Sequence, residues 1–134
     1  MPRLLVDTNV LVDVLADDPQ WADWSIRQLR AQAQIHELAI NPIIYAELSL
    51  AFSTMEALDA ILADLGLTFL ELPRPALFLA GKAFSRYRQR GGTKQNVLAD
   101  FSIGAHAAVA GLPLLTRDAR RYRSYFPGVE LITP

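Results

Sequence analysis

The sequence contains no cysteine, which excludes disulfide bridges and thiolate metal sites. It also lacks an excess of basic residues: its formal net charge is −1, so no overall positive field indicates a nucleic-acid-binding protein. The longest uncharged stretch, Phe101–Thr116, is shorter than the roughly 20 residues of a membrane-spanning helix. With 51% hydrophobic residues in 134, we expect one domain, residues 1–134, in the cytoplasm and without a membrane partner.

Strand-like and helical segments alternate along the chain, which predicts an α/β fold with a mainly parallel, twisted sheet of about five strands and helices on both faces. The predicted strands are Arg3–Val6, Leu38–Ile40, Leu67–Leu70, Leu114–Thr116 and Val129–Ile132. The predicted helices are Val10–Leu15, Gln20–Gln34, Ile43–Phe52, Met55–Leu65, Pro75–Arg88, Asn96–Ala110 and Ala119–Arg123.

Four acidic residues lie in or at the end of apolar segments. Asp7 and Asp118 each follow a predicted strand, at the sheet edge where open parallel sheets hold their active sites. Glu47 and Asp100 lie on the apolar faces of predicted helices. Each acid alone has an ordinary explanation as a helix cap or a solvated charge near a helix N-terminus. An unpaired carboxylate in an apolar setting costs roughly several kcal/mol or more. The four acids together therefore predict a bound cation.

The kind of cation follows from the donor atoms. Carboxylates without cysteine or histidine partners favour Mg²⁺ or Mn²⁺ over Zn²⁺. Thr8, Asn9 and Thr116 add neutral oxygens that we expect to orient a carboxylate or a metal-bound water. A hard cation held by several carboxylates is a common device for phosphoryl transfer.

The segments Leu5–Leu11, Leu98–Ala105 and Leu114–Asp118, together with Glu47, resemble the PIN-domain ribonucleases over almost the whole chain. The chain length and its C-terminal segment resemble the VapC toxins of type II toxin–antitoxin modules. The resemblance implies a PIN-like three-layer α/β/α fold. It also implies that the four acids, Asp7, Glu47, Asp100 and Asp118, are the Mg²⁺ or Mn²⁺ ligands and the catalytic residues.

The same resemblance implies an activity and partners. PIN ribonucleases of this type cut RNA internally and leave a 5′-phosphate and a 3′-hydroxyl. A cognate antitoxin protein blocks the site and binds promoter DNA, so the expected assemblies are a homodimer and a toxin–antitoxin hetero-oligomer on DNA through the antitoxin.

Support for RNA binding from the residues themselves is weaker. Basic residues flank the proposed site and can pair with phosphates, although basic side chains at helix ends also have an ordinary electrostatic explanation. The RNA-contact candidates are Arg86, Arg88, Arg90, Lys94, Arg117 and Arg120.

Two other interpretations remain open at the level of sequence. A phosphoreceiver signalling domain also gathers acids around Mg²⁺ at the carboxyl edge of a parallel sheet, but such domains resemble one another in having a lysine after a late strand. Here the only lysines are Lys82 and Lys94, and neither ends a predicted strand. The second alternative is a non-catalytic PIN scaffold, which the complete set of four acids disfavours.

Overall fold

The computed structural model describes residues 1–134, and its five strands form a single sheet in which all neighbouring strands run parallel. The strands are β1 (Arg3–Val6), β2 (Glu37–Ile40), β3 (Thr68–Phe69), β4 (Leu114–Leu115) and β5 (Leu131–Ile132). The helices are α1 (Thr8–Leu15), α2 (Ala22–Ala33), α3 (Pro42–Leu48), α4 (Met55–Asp64), α5 (Arg74–Gln89), α6 (Val97–Ala110) and α7 (Arg120–Tyr125). The α/β class predicted from the sequence is confirmed.

The order of the strands in the sheet is β3-β2-β1-β4-β5. The chain builds outward from β1 to β3 and then returns to add β4 and β5 on the other side of β1. Strand order therefore reverses between β1 and β4, and open α/β sheets bind their ligands in the crevice outside the carboxyl ends of the strands at such a point.

Helices cover both faces of the sheet. Right-handed connections between parallel strands place α1–α4 on one face and α5–α7 on the other, because the direction of strand addition reverses after β3. In agreement, α1 contacts α2 and α3, while α6 contacts α5 and α7. None of the helices is both long enough and apolar enough to cross a membrane.

Two helix starts are fixed by side-chain caps. Helix α1 begins at Thr8, two residues earlier than predicted, because Asp7 Oδ1 accepts a hydrogen bond from the Thr8 amide at 2.8 Å. Helix α3 begins where the sequence predicts, with Asn41 Oδ1 accepting from the Ile44 amide at 3.0 Å. It ends earlier than predicted and continues as a short 3₁₀ helix, Ser49–Ala51.

An aromatic cluster joins the last three helices. Phe101 of α6 is fully buried, and the centre of its ring lies 4.9 Å from that of Tyr125 and 5.7 Å from that of Tyr87. Phe84 and Phe126 complete the cluster at 6.3 Å from Phe101. Such edge-on aromatic pairs add about 0.5–1.5 kcal/mol each beyond their burial. The cluster fixes α7 against α6, close to the end of β4.

Gly104 allows α7 to approach α6 closely. A Cβ atom added at Gly104 would lie 2.5 Å from Cδ2 of Phe126 and 3.0 Å from Cδ1 of Tyr122, both buried rings. Gly104→Ala should therefore lower the free energy of unfolding by about 1–3 kcal/mol through overpacking, measured by urea denaturation. Gly81→Ala in α5 is the matched control, since a Cβ there meets nothing within 4 Å, and it should stabilise by up to about 1 kcal/mol. Equal effects of the two variants would contradict the close contact.

Candidate active site

Asp7, at the carboxyl end of β1, is the most enclosed of the four acids, with 4% of its surface exposed. Its Oδ2 accepts hydrogen bonds from Tyr122 Oη at 2.8 Å and from Thr116 Oγ1 at 2.9 Å. Burial raises the pKa of Asp7 from 3.8 to about 6, in spite of the two hydroxyl donors, which lower it. The charge of Asp100 raises it further. Asp7 is thus a carboxylate whose ionised form is costly without a cation.

Glu47, on α3, faces the same edge from the neighbouring side. Thr8 Oγ1 donates to Glu47 Oε1 at 2.6 Å, which ties α3 to the start of α1. Burial raises the pKa of Glu47, the hydrogen bond from Thr8 opposes that rise, and the charge of Asp100 adds to it. The Thr8 hydroxyl therefore holds a partly buried carboxylate next to Asp7.

The other two acids lie on the opposite side of the crevice. Asp100 is half-buried on α6 and forms an ion pair with Arg121 of α7. Burial raises the pKa of Asp100 and the Arg121 guanidinium lowers it, while the charge of Asp118 raises it. Asp118 is exposed in the loop after β4, where its amide donates to Thr116 Oγ1 at 3.1 Å.

Asp100 is the electrostatic centre of the group. The charge of Asp100 raises the pKa of both Asp7 and Glu47, and the charge of Asp118 raises the pKa of Asp100. In the side-chain positions of the structure, however, no three of these acids approach closely enough to hold one metal ion. The three acids that are at least partly buried each accept a hydrogen bond from another side chain instead. Hydroxyl groups donate to Asp7 and Glu47, and a guanidinium donates to Asp100. The donor chemistry, carboxylates that repel one another in a partly buried crevice, fits a hard divalent cation.

The neutral side chains predicted to support the acids all contact them. Thr116 is fully buried, donates to Asp7, and accepts from Asn9 Nδ2 at 3.2 Å. Asn9 Oδ1 accepts from the Arg117 amide at 3.3 Å. Thr116 and Asn9 thus connect the end of β1 to the loop that carries Asp118.

Sequence reasoning missed Tyr122, whose hydroxyl is the closest side-chain donor to Asp7. Tyr122 is buried, and burial together with the charge of Asp7 raises its pKa well above the ordinary value of 10.0. A signal was present, because Tyr122 lies only four residues after Asp118, in the first turn of the helix that follows it.

The pair Asn41 and His106 was also missed. Asn41 uses its Oδ1 to cap α3, which turns its Nδ2 toward His106 Nδ1 at 3.1 Å. Both residues are buried, and burial lowers the pKa of His106, so the ring is neutral and accepts this hydrogen bond. The contact fixes the start of the helix that carries Glu47 against α6. His106 is packed in the core and contacts Asn41.

Arg117 was predicted as an RNA contact, but its side chain is engaged inside the protein. Its Nε donates at 2.7 Å to Asp13 Oδ2, which also accepts from Ser25 Oγ at 2.9 Å. Asp13 is 1% exposed, and the guanidinium lies over the ring of Trp21 at 5.6 Å. We therefore assign Arg117 to the scaffold that holds the Asp118 loop. In the sequence, Asp13 is an acid within an otherwise apolar helix, which is a sign that its carboxylate needs a partner.

The other RNA-contact candidates lie on the surface, and two of them border a groove beside Asp118. Arg86, Arg88, Arg90, Lys94 and Arg120 are all exposed. The groove is lined by Tyr87, Lys94, Asp118, Arg120, Arg121, Ser124 and Tyr125. Arg88 packs over Phe84 at 5.6 Å and Arg90 over Tyr125 at 5.2 Å. The groove thus combines positive charge and aromatic rings next to an acid of the site.

The chain belongs to the PIN domain family, whose model matches residues 4–126. The resemblance inferred from the sequence is confirmed at this level. No match was found among curated proteins. The strand order also excludes the phosphoreceiver alternative, because receiver domains arrange their strands 2-1-3-4-5 and this sheet has the order 3-2-1-4-5.

Solved structures share the fold. The chain is similar to one in VapBC2 from Rickettsia felis bound to a promoter DNA fragment, with a TM-score of 0.73, 21% identity and 98% of each chain covered. The match to DNA-bound VapBC from Salmonella typhimurium has a TM-score of 0.72 and 21% identity, and it covers 99% of this chain and 98% of that one. The match to VapBC-1 from nontypeable Haemophilus influenzae has a TM-score of 0.72 and 16% identity, and it covers 98% of this chain and 97% of that one.

Proposed function

We propose that the protein is a metal-dependent endoribonuclease that acts as the toxin of a VapBC-type toxin–antitoxin module. One observation carries the proposal: a buried carboxylate, Asp7, with its pKa raised to about 6, shares the switch-point edge of a PIN-family sheet with three further acids. Membership of the PIN family supports a nuclease, and the oxygen-only donor set supports Mg²⁺ or Mn²⁺ as the cofactor.

The proposed ligands of the cation are Asp7, Glu47, Asp100 and Asp118. When bound, the ion neutralises the scissile phosphate, lowers the pKa of the attacking water and stabilises the leaving oxygen. The protein supplies the positioning: Tyr122 and Thr116 hold Asp7, and Thr8 holds Glu47. These hydroxyls fix the carboxylates before substrate arrives, so that little reorganisation is needed during the reaction.

Asp118 is the acid that we propose to orient the attacking water, since it is exposed and borders the groove. Water attacks the phosphorus and gives up a proton to the surrounding solvent, the bond from phosphorus to the 3′ oxygen breaks, and that oxygen takes a proton from the solvent. The products are a 5′-phosphate and a 3′-hydroxyl, as the family resemblance implies.

The groove beside Asp118 is the proposed path of the RNA. Lys94 and Arg120 offer charge to phosphates, and Tyr87 and Tyr125 offer ring surfaces to bases. Arg86, Arg88 and Arg90 extend the positive surface along the last turns of α5. Binding through these contacts should weaken as salt concentration rises.

The partners are proposed from the solved structures that share the fold. Those structures are of VapBC, two of them are bound to DNA, and in one of these the DNA is a promoter fragment. We infer a cognate antitoxin that covers the site, a toxin homodimer, and a hetero-oligomer that reaches DNA through the antitoxin. The proposed location is the cytoplasm, where both the RNA and the promoter are found.

The test is cleavage of a mixed RNA pool by purified, partner-free protein with Mn²⁺ or with EDTA. Asp100→Asn and Asp118→Asn proteins, prepared identically, control for contaminating nucleases. We expect cuts that require Mn²⁺, carry 5′-phosphates and disappear in both variants. If the variants cut as well as the wild-type protein does, the nuclease assignment is wrong. If Mn²⁺ binds but no RNA in the pool is cut, the non-catalytic scaffold is favoured.

A further inference from the structure

Asp100 is the only acid of the four that forms an ion pair with a cationic side chain. Arg121 Nη1 donates to Asp100 Oδ2, and the pair is partly shielded from water, with 24% and 37% of the two side chains exposed. Arg121 lies on α7, which the aromatic cluster around Phe101 fixes against α6. The guanidinium is therefore delivered to Asp100 by a rigid part of the fold.

The charges around Asp100 explain why the Arg121 guanidinium is held against it. Asp7, Glu47 and Asp118 all repel the negative charge of Asp100, and on the other side Lys94 adds a weaker attraction. The Arg121 guanidinium places a positive charge directly against Asp100 and so offsets the repulsion from the neighbouring acids. A guanidinium and a divalent ion next to the same carboxylate compete for its negative charge, because the two cations repel each other.

We propose that Arg121 is an exchangeable counter-cation of Asp100, paired with it in the metal-free protein and displaced when a divalent cation binds. The proposal rests on the metal site of the proposed function. It explains why no three acids converge in the structure: Asp100 is turned toward Arg121. It also gives the released side chain a place to go, because Arg121 lines the groove beside Lys94 and Arg120.

The test measures Mn²⁺ binding alone, without RNA. Wild-type protein and Arg121→Gln are stripped with EDTA, dialysed, and titrated with MnCl₂ by calorimetry, and their melting temperatures are followed with and without Mn²⁺. Arg123→Gln is the matched control, since it removes the same charge from an exposed position on the same helix. Arg121→Lys tests whether charge alone suffices.

We expect Arg121→Gln to bind Mn²⁺ about tenfold more tightly than wild type, because the ion no longer competes with an ion pair. The metal-free variant should melt at a lower temperature than the wild type, and saturating Mn²⁺ should remove that difference. Arg123→Gln should change the affinity much less, and Arg121→Lys should give an intermediate affinity.

Equal or weaker Mn²⁺ binding by Arg121→Gln would overturn the exchange, as would an equal gain in Arg123→Gln. If neither wild type nor Arg121→Gln binds Mn²⁺, both the exchange and the metal site fail. If Mn²⁺ binding behaves as expected but no RNA is cut, the exchange stands and only the nuclease activity fails.

Discussion

Replacing Asp7 by Asn is expected to stabilise the metal-free protein by about 3 kcal/mol at pH 7 while abolishing cleavage of RNA. The gain arises because Asp7 is 4% exposed and its pKa is raised from 3.8 to about 6, so that at neutral pH the fold retains a charge in an unfavourable setting. Asparagine removes the charge and keeps the shape. The hydroxyls of Tyr122 and Thr116 can rotate to accept from its amide. Cleavage is lost because the neutral amide is a poor metal ligand.

The pH dependence of the free energy of unfolding tests independently whether ionised Asp7 destabilises the fold. Below about pH 3, well under the ordinary pKa of 3.8, Asp7 is protonated in both the folded and the unfolded protein, and the stability gained from native-state proton binding is fully present. As the pH rises through the folded pKa of about 6, that stability is lost, because the unfolded chain releases its proton earlier. The difference between Asp7→Asn and wild type should thus grow from near zero at pH 3 to nearly its full value at pH 7, measured by urea denaturation in EDTA.

Asp118→Asn serves as the control for this effect. Asp118 is exposed, so neutralising it relieves no burial and should leave the free energy of unfolding within about 0.5 kcal/mol of wild type. A stability difference for Asp7→Asn that does not vary between pH 3 and pH 7 would show that Asp7 is not the costly charge inferred from its burial.

Replacing Arg117 by Ala is expected to lower the free energy of unfolding by about 3 kcal/mol, because it leaves the buried carboxylate of Asp13 without its cation. We take the lower end of the range for breaking a buried pair, since 30% of the Arg117 side chain is exposed. The variant also loses packing over Trp21. Chemical denaturation at pH 7 measures the loss, and Asp118, one residue away, should become less ordered.

The matched control is Arg120→Ala. Arg120 was predicted as an RNA contact together with Arg117, but it is exposed and borders the groove. Its replacement should leave stability within about 0.5 kcal/mol and weaken RNA binding in a salt-dependent way. If Arg117→Ala is as stable as Arg120→Ala, Arg117 is a surface residue and the scaffold assignment is wrong.

Local signals in the sequence predicted much of the fold. Asn41, a residue type favoured as a helix cap, begins α3. As predicted, α6 ends at Ala110, before Gly111, which adopts the left-handed conformation with φ 66°. Alternation of apolar strands with amphipathic helices predicted the α/β class. The misplaced strand ends have a non-local cause. Strands β3 and β5 contain only Thr68–Phe69 and Leu131–Ile132, because pairing at a sheet edge is decided by the neighbouring strand rather than by the segment itself.

The sequence by itself determined which acids follow strands and which lie on inward helix faces, because burial of an apolar segment imposes a period that can be counted along the chain. Only the tertiary structure decided what each acid meets. Asp7 with Tyr122, Asp100 with Arg121 and Asp13 with Arg117 are separated by 115, 21 and 104 positions. Each pair forms because strand order and helix packing bring distant side chains together, and at low exposure a charge without a partner is costly.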